Sequence, residues 1–398
     1  MWKQYAELSE GHVECVKSRF RNIREAHRKM SKAVGIEKNR EIRVGISVAT
    51  SGRFQLLARQ ALNAMLLWRS YINSRGGIPV GNASRSVQLI WYDDESRADR
   101  TRENILRLLR NDRVDILFGP YSSNLTLVAA EISEEHNTLL WNYGGTSDEI
   151  FDKRWQHIVG IPSPASDYFR ALPAWLAKEY PKLRRICVLY STKGTFGRQI
   201  NRGVGESAQA TGHLVHSMPV NTEFGNSDAA LSMLHEINPQ AVVLAGSFQG
   251  ELAIMRTRLH WPNTVRVIAA VAAGISSFGC QLGQTSHGVL GPSQWEPGVN
   301  FPESIGPSSD WFENSFREEF GTEPDYIAAG AFATGLIVGE CIRRAASLDS
   351  DELRCVASQL DCNTLYGRFR IDPENGKQRG HRILLVRWQK CTKTVLPA

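Results

Sequence analysis

The chain has little sulfur chemistry to offer. Its 398 residues hold seven cysteines (Cys15, Cys187, Cys280, Cys341, Cys355, Cys362 and Cys391), an odd number with no CxxC among them. That excludes a disulfide scaffold for a chain of this length, and free thiols are expected. Only Cys355 and Cys362 are near enough in sequence to suggest a pair in an oxidising compartment. No cysteine and histidine share zinc-site spacing, so no metal is expected. A run of 18 apolar residues is also missing, which argues against a transmembrane helix. The first residues lack the apolar core of a secretory signal, so the sequence as it stands reads as cytoplasmic, and as periplasmic if its start is misassigned. GxSxG, HExxH and GxxxxGK[ST] are absent. Gly203–Ala208 fits G-x-G-x-x-A, but it falls inside an expected helix rather than at a strand-to-helix turn, so no dinucleotide site follows. No catalytic constellation survives, and neither an enzyme nor a cofactor is expected.

What is present is an ordinary globular composition, 42% hydrophobic and 22% charged, in a chain too long for one core. Charge is uneven. Residues 1–40 carry ten Lys/Arg against five Glu, or +5 of the net +6, which leaves +1 for the rest. Residues 12–34 read as an amphipathic helix with Val13, Val16, Phe20, Ile23 and Met30 at 3–4 spacing. Two readings stand: a solvated extension, or a weak homodimer seam. No nucleic-acid partner is expected.

From Ile42 onward, β-rich runs alternate with helical patterns: 42–48, 87–92, 114–118 and 138–141 as strands, with helices between them. The rhythm restarts after Pro162 and Pro164, with strands at 185–190, 214–220, 241–245 and 265–270. Strand and helix in strict alternation predict parallel pairing, hence an α/β fold of two doubly wound parallel-sheet lobes. Two small-polar clusters close the strands of the first run: Gly119-Pro120-Tyr121-Ser122-Ser123, and Tyr143-Gly144-Gly145-Thr146-Ser147. Hydroxyls and backbone N–H groups at the carboxyl edge of a parallel sheet suit an anion or amide. Capping of the following helices is the plainer role for Ser123 and Thr146, and the two roles are compatible. Trp295 follows the last strand of the second run, where it would either stack on a ligand or pack in a hinge.

The ordered set resembles the type I periplasmic binding proteins of the leucine/isoleucine/valine-binding class. It comprises a strand with Ser51-Gly52, Asn73 with Gly76-Gly77-Ile78, Tyr92-Asp93-Asp94, a strand with Gly119-Pro120, and Thr364–Asp372 with Gly376 and His381. The resemblance covers 42–398. It implies a ligand cleft between lobes joined by a three-strand hinge, with the N-lobe at 42–161 plus 293–366, the C-lobe at 162–292 plus 367–398, and 1–41 as an extension. It implies ligand contacts from Tyr121, Ser122, Ser123, Gly144, Gly145 and Thr146, with Phe196 and Phe248 opposite and Trp295 beside them. The acid that pairs a ligand ammonium in amino-acid binders would lie near Val271–Gly274, where this chain has none, and the first-lobe aromatic near Leu57 is also missing. A carboxylate without an amine, an amide or an aromatic acid is therefore expected as ligand. The expected role is that of a solute-binding protein serving an ABC permease for branched-chain amino-acid-like, amide or urea-type ligands. The alternative is a cytoplasmic amide sensor acting through a regulatory protein partner.

Overall fold

The computed structural model describes residues 40–220, 227–299, 301–389 and 392–397. The helix expected over 12–34 lies outside them. The chain divides at Glu41 into two units, and the fold below is that of the second, Ile42–Ala398.

The first run forms β1 (Ile42–Val48), α1 (Gln55–Ser74), the hairpin β2 (Ile78–Val80) and β3 (Ala83–Arg85), β4 (Val87–Asp93), α2 (Ala98–Arg110), β5 (Ile116–Phe118), α3 (Ser123–Glu135), β6 (Leu140–Asn142), α4 (Glu149–Asp152) and β7 (Ile158–Gly160). Every residue of β1 except Arg43 is buried, as a central parallel strand covered on both faces requires. The sheet order is β4-β1-β5-β6-β7, and all pairs are parallel.

The second run forms α5 (Leu172–Glu179), β8 (Arg185–Ser191), α6 (Phe196–Gln209), β9 (Leu214–Val220), α7 (Ser227–Ile237), β10 (Ala241–Ala245), α8 (Phe248–Arg256), β11 (Val267–Ala270), α9 (Ser277–Leu282) and β12 (Leu290–Ser293). The chain then returns to the first lobe as α10 (Ser309–Phe320), α11 (Tyr326–Ala345), α12 (Ser350–Gln359) and the pair β13 (Cys362–Thr364) and β14 (Gly367–Phe369). It ends in the second with β15 (Leu384–Gln389) and β16 (Thr392–Val395). The second sheet runs β16-β15-β12-β11-β10-β8-β9. It is not wholly parallel: β15 pairs antiparallel with β12 and forms a hairpin with β16. The fold class is thus α/β with two lobes, the second sheet being mixed at one edge.

Each lobe has its own core. Phe118, Trp68, Phe312 and Phe332 share the first with β1, and Phe369 and Ile371 belong to it as well. α11 is long and apolar enough to cross a membrane by length and composition, yet it is buried within this core. Cys355 and Cys362 are both free thiols. Gly203 and Gly205 lie inside α6, away from any strand-to-helix turn.

Candidate functional site

Both sheets aim their carboxyl ends at a shared cleft, and the lobes touch across it. Ser147 Oγ lies 2.6 Å from Thr195 Oγ1, and the Asn124 side chain faces Gly194. A cavity of about 250 Å³ lies between them.

In the first lobe, β5 and β6 are adjacent strands, so the loops that follow them are neighbours. Ser122 caps α3: its Oγ accepts from the Leu125 N–H and its carbonyl from the Thr126 N–H. The next two N–H groups, of Ser123 and Asn124, open the helix and have no intrahelical acceptor by α-helical geometry. Ser122 holds φ +99, which non-glycine residues rarely adopt. Ser123 Oγ accepts from the Thr146 and Ser147 N–H groups at 3.2 and 3.0 Å, so this hydroxyl fastens the β6 loop to the start of α3. A Cβ on Gly144 would sit 2.7 Å from the Pro120 carbonyl, and one on Gly145 would sit 2.5 Å from Thr126. Both glycines permit that close approach.

The cavity is lined by Tyr121, Ser122, Ser123, Gly144, Thr146, Phe196 and Phe248 of the residues expected from the sequence. Two expected residues do not reach it. Gly145 lies behind the lining: its N–H and carbonyl are both taken by the Asn142 side chain. Trp295 is 1% exposed, donates its indole N–H to Ser309 Oγ and packs edge-on against Phe312. It is a core residue of the first lobe, because Ser309 satisfies the one polar atom that would have drawn it outward.

Sequence reading missed much of the aromatic wall. Phe54 lines the cavity edge-on to Tyr121, so the first-lobe aromatic is present three positions before Leu57. Tyr143, Tyr168, Tyr326 and Tyr366 also line it, which makes eight aromatic rings with Phe54, Tyr121, Phe196 and Phe248. The five tyrosine phenols are raised above their usual range, chiefly by burial. Phe54 alone carried a local signal, since it sits at the turn opening α1.

Charge in the lining has one sign. Among the described lining residues the ionisable groups other than tyrosine are Arg53 and Lys193, and there is no Asp or Glu. Nearby acids are engaged elsewhere. Glu296 pairs with Lys393 at 2.7 Å, and Asp325 accepts from the Ser276 N–H at 2.9 Å. Val271–Gly274 forms a short 3-10 turn whose Val271 and Ala272 face the cavity. Behind that wall the Glu251 carboxylate accepts from the Gly246 and Ala272 N–H groups, both at 2.7 Å. Burial pushes its pKa up to about 8 against the pull of these N–H donors. Among the described residues no group of acids, histidines and cysteines is arranged to hold a metal.

A two-lobed α/β fold with its cleft at the carboxyl ends of both sheets is the architecture of a substrate-binding protein. Residues 41–393 match the family model described as periplasmic binding protein, and the chain belongs to that family, in its leucine/isoleucine/valine-binding class. It is 21% identical to the Leu/Ile/Val-binding protein homolog 7 of Brucella melitensis, over 88% of this chain and 89% of that protein. The structure of LivJ, the branched-chain amino acid transporter substrate-binding protein of Streptococcus pneumoniae, in complex with isoleucine, superposes with a TM-score of 0.76. The two are 16% identical, and the match covers 90% of this chain and 99% of LivJ. A solute-binding protein of an ABC transporter from Rhodopseudomonas palustris BisB5, in complex with 3,4-dihydroxybenzoic acid, gives a TM-score of 0.73 at 18% identity, over 88% and 93% of the two chains. All three are binding proteins for small solutes. They lend no support to the gene-regulating sensor read as an alternative from the sequence, or to its cytoplasmic placement.

Proposed function

We propose that this chain is the solute-binding protein of an ABC-type uptake system, working in the periplasm, and that its ligand is a small amine-free carboxylate with an aromatic ring. One observation carries the ligand: a cavity lined by eight aromatic rings and two cationic side chains, with no acid among its described lining residues. An ammonium enclosed there would lack a counter-ion, and burying an unpaired charge is costly. A carboxylate instead meets the opening turn of α3 and the hydroxyls beside it. The volume is consistent. About 150 Å³ takes a benzene ring, so about 250 Å³ accommodates one ring with its substituents. The likeness to a protein solved with 3,4-dihydroxybenzoic acid supports the same choice, while the isoleucine-bound relative supplies the competing ligand.

Calorimetry and thermal shift with benzoate, isoleucine and acetamide test this. Benzoate at about 100 times its Kd should stabilise the protein by about 2.7 kcal/mol, and isoleucine at the same concentration should give no shift. Submicromolar binding of isoleucine or leucine would overturn the ligand class.

A further inference from the structure

The hinge end of the cavity holds an arrangement that the proposed function leaves unused. Ser163 lies on the first connection between the lobes and Gln294 on the second. The Ser163 backbone N–H donates to Gln294 Oε1 at 2.7 Å. A backbone N–H can only donate, so this contact fixes the amide: its oxygen faces Ser163, and its Nε2 faces the other way. Nε2 donates to the Tyr168 hydroxyl at 3.0 Å. The Tyr168 oxygen is therefore an acceptor on its inner side, and its own proton must go elsewhere.

Its neighbours are themselves hydroxyls, those of Thr146 and Tyr326. Tyr121 and Tyr366 line the same cavity. A hydroxyl that accepts on one side keeps its own proton for another, so Tyr168, which lines the cavity, presents that proton away from Gln294. Among the described residues no carbonyl or carboxylate accepts from any of these five hydroxyls. All five residues line the cavity. Burial holds the phenols above their usual range, so they remain protonated donors. The ring of Tyr366 is held in place by His381, stacked on it at 4.4 Å. A single ring leaves roughly 100 Å³ of the cavity, enough for a second substituent.

We infer that Tyr168, Tyr326 and Tyr366 form a second polar subsite, which takes a hydrogen-bond acceptor on the ligand, such as a carbonyl, nitro or ether oxygen, and disfavours a donor. The inference rests on the ring-carboxylate reading above and adds the chemistry of the substituent.

The test is calorimetry on the full chain with benzoate and three derivatives: acetyl, methyl and aminomethyl, each as its 3- and 4-isomer. In the tighter-binding isomer series, the acetyl compound should bind about tenfold tighter than the methyl one, and the aminomethyl compound weaker than either. Tyr326→Phe with Tyr366→Phe should abolish the acetyl preference, read as the acetyl-to-methyl affinity ratio within that variant. A second variant does not depend on that pair folding. Gln294→Glu keeps an acceptor for the Ser163 N–H but turns a second oxygen on Tyr168, so Tyr168 donates inward and offers its lone pairs to the cavity. The acetyl-to-aminomethyl affinity ratio should then fall by at least about tenfold. Benzoate binding with no acetyl preference, or an unchanged ratio in Gln294→Glu, would overturn the subsite and leave the proposed function standing. If no ring carboxylate binds, both fall.

Discussion

The two lobes solve one problem in two ways. Each must fasten a pair of adjacent strand-end loops so that they face the cleft as a fixed wall. In the first lobe the loops follow β5 and β6, and a neutral hydroxyl does it: Ser123 Oγ takes the N–H groups of Thr146 and Ser147. In the second lobe the loops follow β10 and β11, and a buried carboxylate does it: Glu251 takes those of Gly246 and Ala272. The helix caps are also counterparts. Ser122 Oγ accepts from Leu125 N–H at the start of α3, and Ser247 Oγ from Gly250 N–H at the start of α8. The hydroxyl clamp has no charge to desolvate, whereas the carboxylate clamp does, so the geometry is shared and the response to pH is not.

The largest expected effect comes from removing the carboxylate clamp. Glu251→Leu leaves the Gly246 and Ala272 N–H groups without an acceptor, and urea unfolding should show a loss of about 4 kcal/mol. Ser123→Ala strips the acceptor from two buried N–H groups held by longer bonds, of 3.2 and 3.0 Å, and should cost about 2 kcal/mol. Equal losses would break the distinction between the two clamps.

The pH response separates the lobes further. A glutamate ordinarily titrates at 4.5, whereas Glu251 sits at about 8 when folded, so the folded protein holds a proton that the unfolded chain releases. Stability from this group is therefore intact below pH 4.5 and is lost as pH rises towards 8. Asp94 in the first lobe, raised from 3.8 to about 6 by burial, acts with the same sign over a lower window. Between pH 6 and 8 Glu251 is the one of the two still changing. Urea midpoints in that interval should fall more steeply for the wild type than for Glu251→Gln. Parallel slopes would show that the Gly246 and Ala272 N–H donors keep the carboxylate ionised.

A smaller effect distinguishes the caps. Ser122 is at φ +99, whereas Ser247 is at an ordinary φ of −79. Ser122→Gly relieves backbone strain of order 1–3 kcal/mol at the cost of a few tenths for the lost cap. It should therefore stabilise the protein by about 1 kcal/mol. Ser247→Gly has no strain to relieve and should destabilise it by a few tenths. A loss in both variants would show that Ser122 is not strained.

The strands of both sheets were legible because parallel strands covered on both faces keep long apolar runs, and helical periodicity between them fixes the order. The hydroxyls and glycines at the ends of β5 and β6 were legible for a related reason: small residues at a strand's carboxyl end leave backbone exposed to a cleft. Tyr168, Tyr326 and Tyr366 carried no such signal. They come from the end of a 3-10 turn, a helix start and the turn between β13 and β14, and only the return of the chain after β12 brings them together. Trp295 misled because its position suited stacking, while Ser309, fourteen residues on, already held its N–H. Glu251 in the first turn of α8 reads in sequence as an acid favoured by the helix dipole, and nothing local reveals that its carboxylate reaches the turn after β11. The antiparallel β15–β16 edge escaped because antiparallel pairing leaves no mark in the strand-helix rhythm.

The smallest effect should come from removing residues 1–40. They hold +5 of the net charge, against +1 for all the rest, and the family match begins at residue 41. The cavity wall, both clamps and both caps lie within Ile42–Ala398, which is a separate compact unit. Neither lobe should need the segment, and the comparison between them should survive its loss. A chain beginning at Glu41 should therefore keep its benzoate affinity within about twofold and its unfolding free energy within about 0.5 kcal/mol, the range of surface changes. Sedimentation of both chains at matched concentration adds the decisive reading. If residues 12–34 form a seam between copies, the full chain alone will show dimers. Loss of binding or a melting point many degrees lower in the shorter chain would instead make the segment part of the fold.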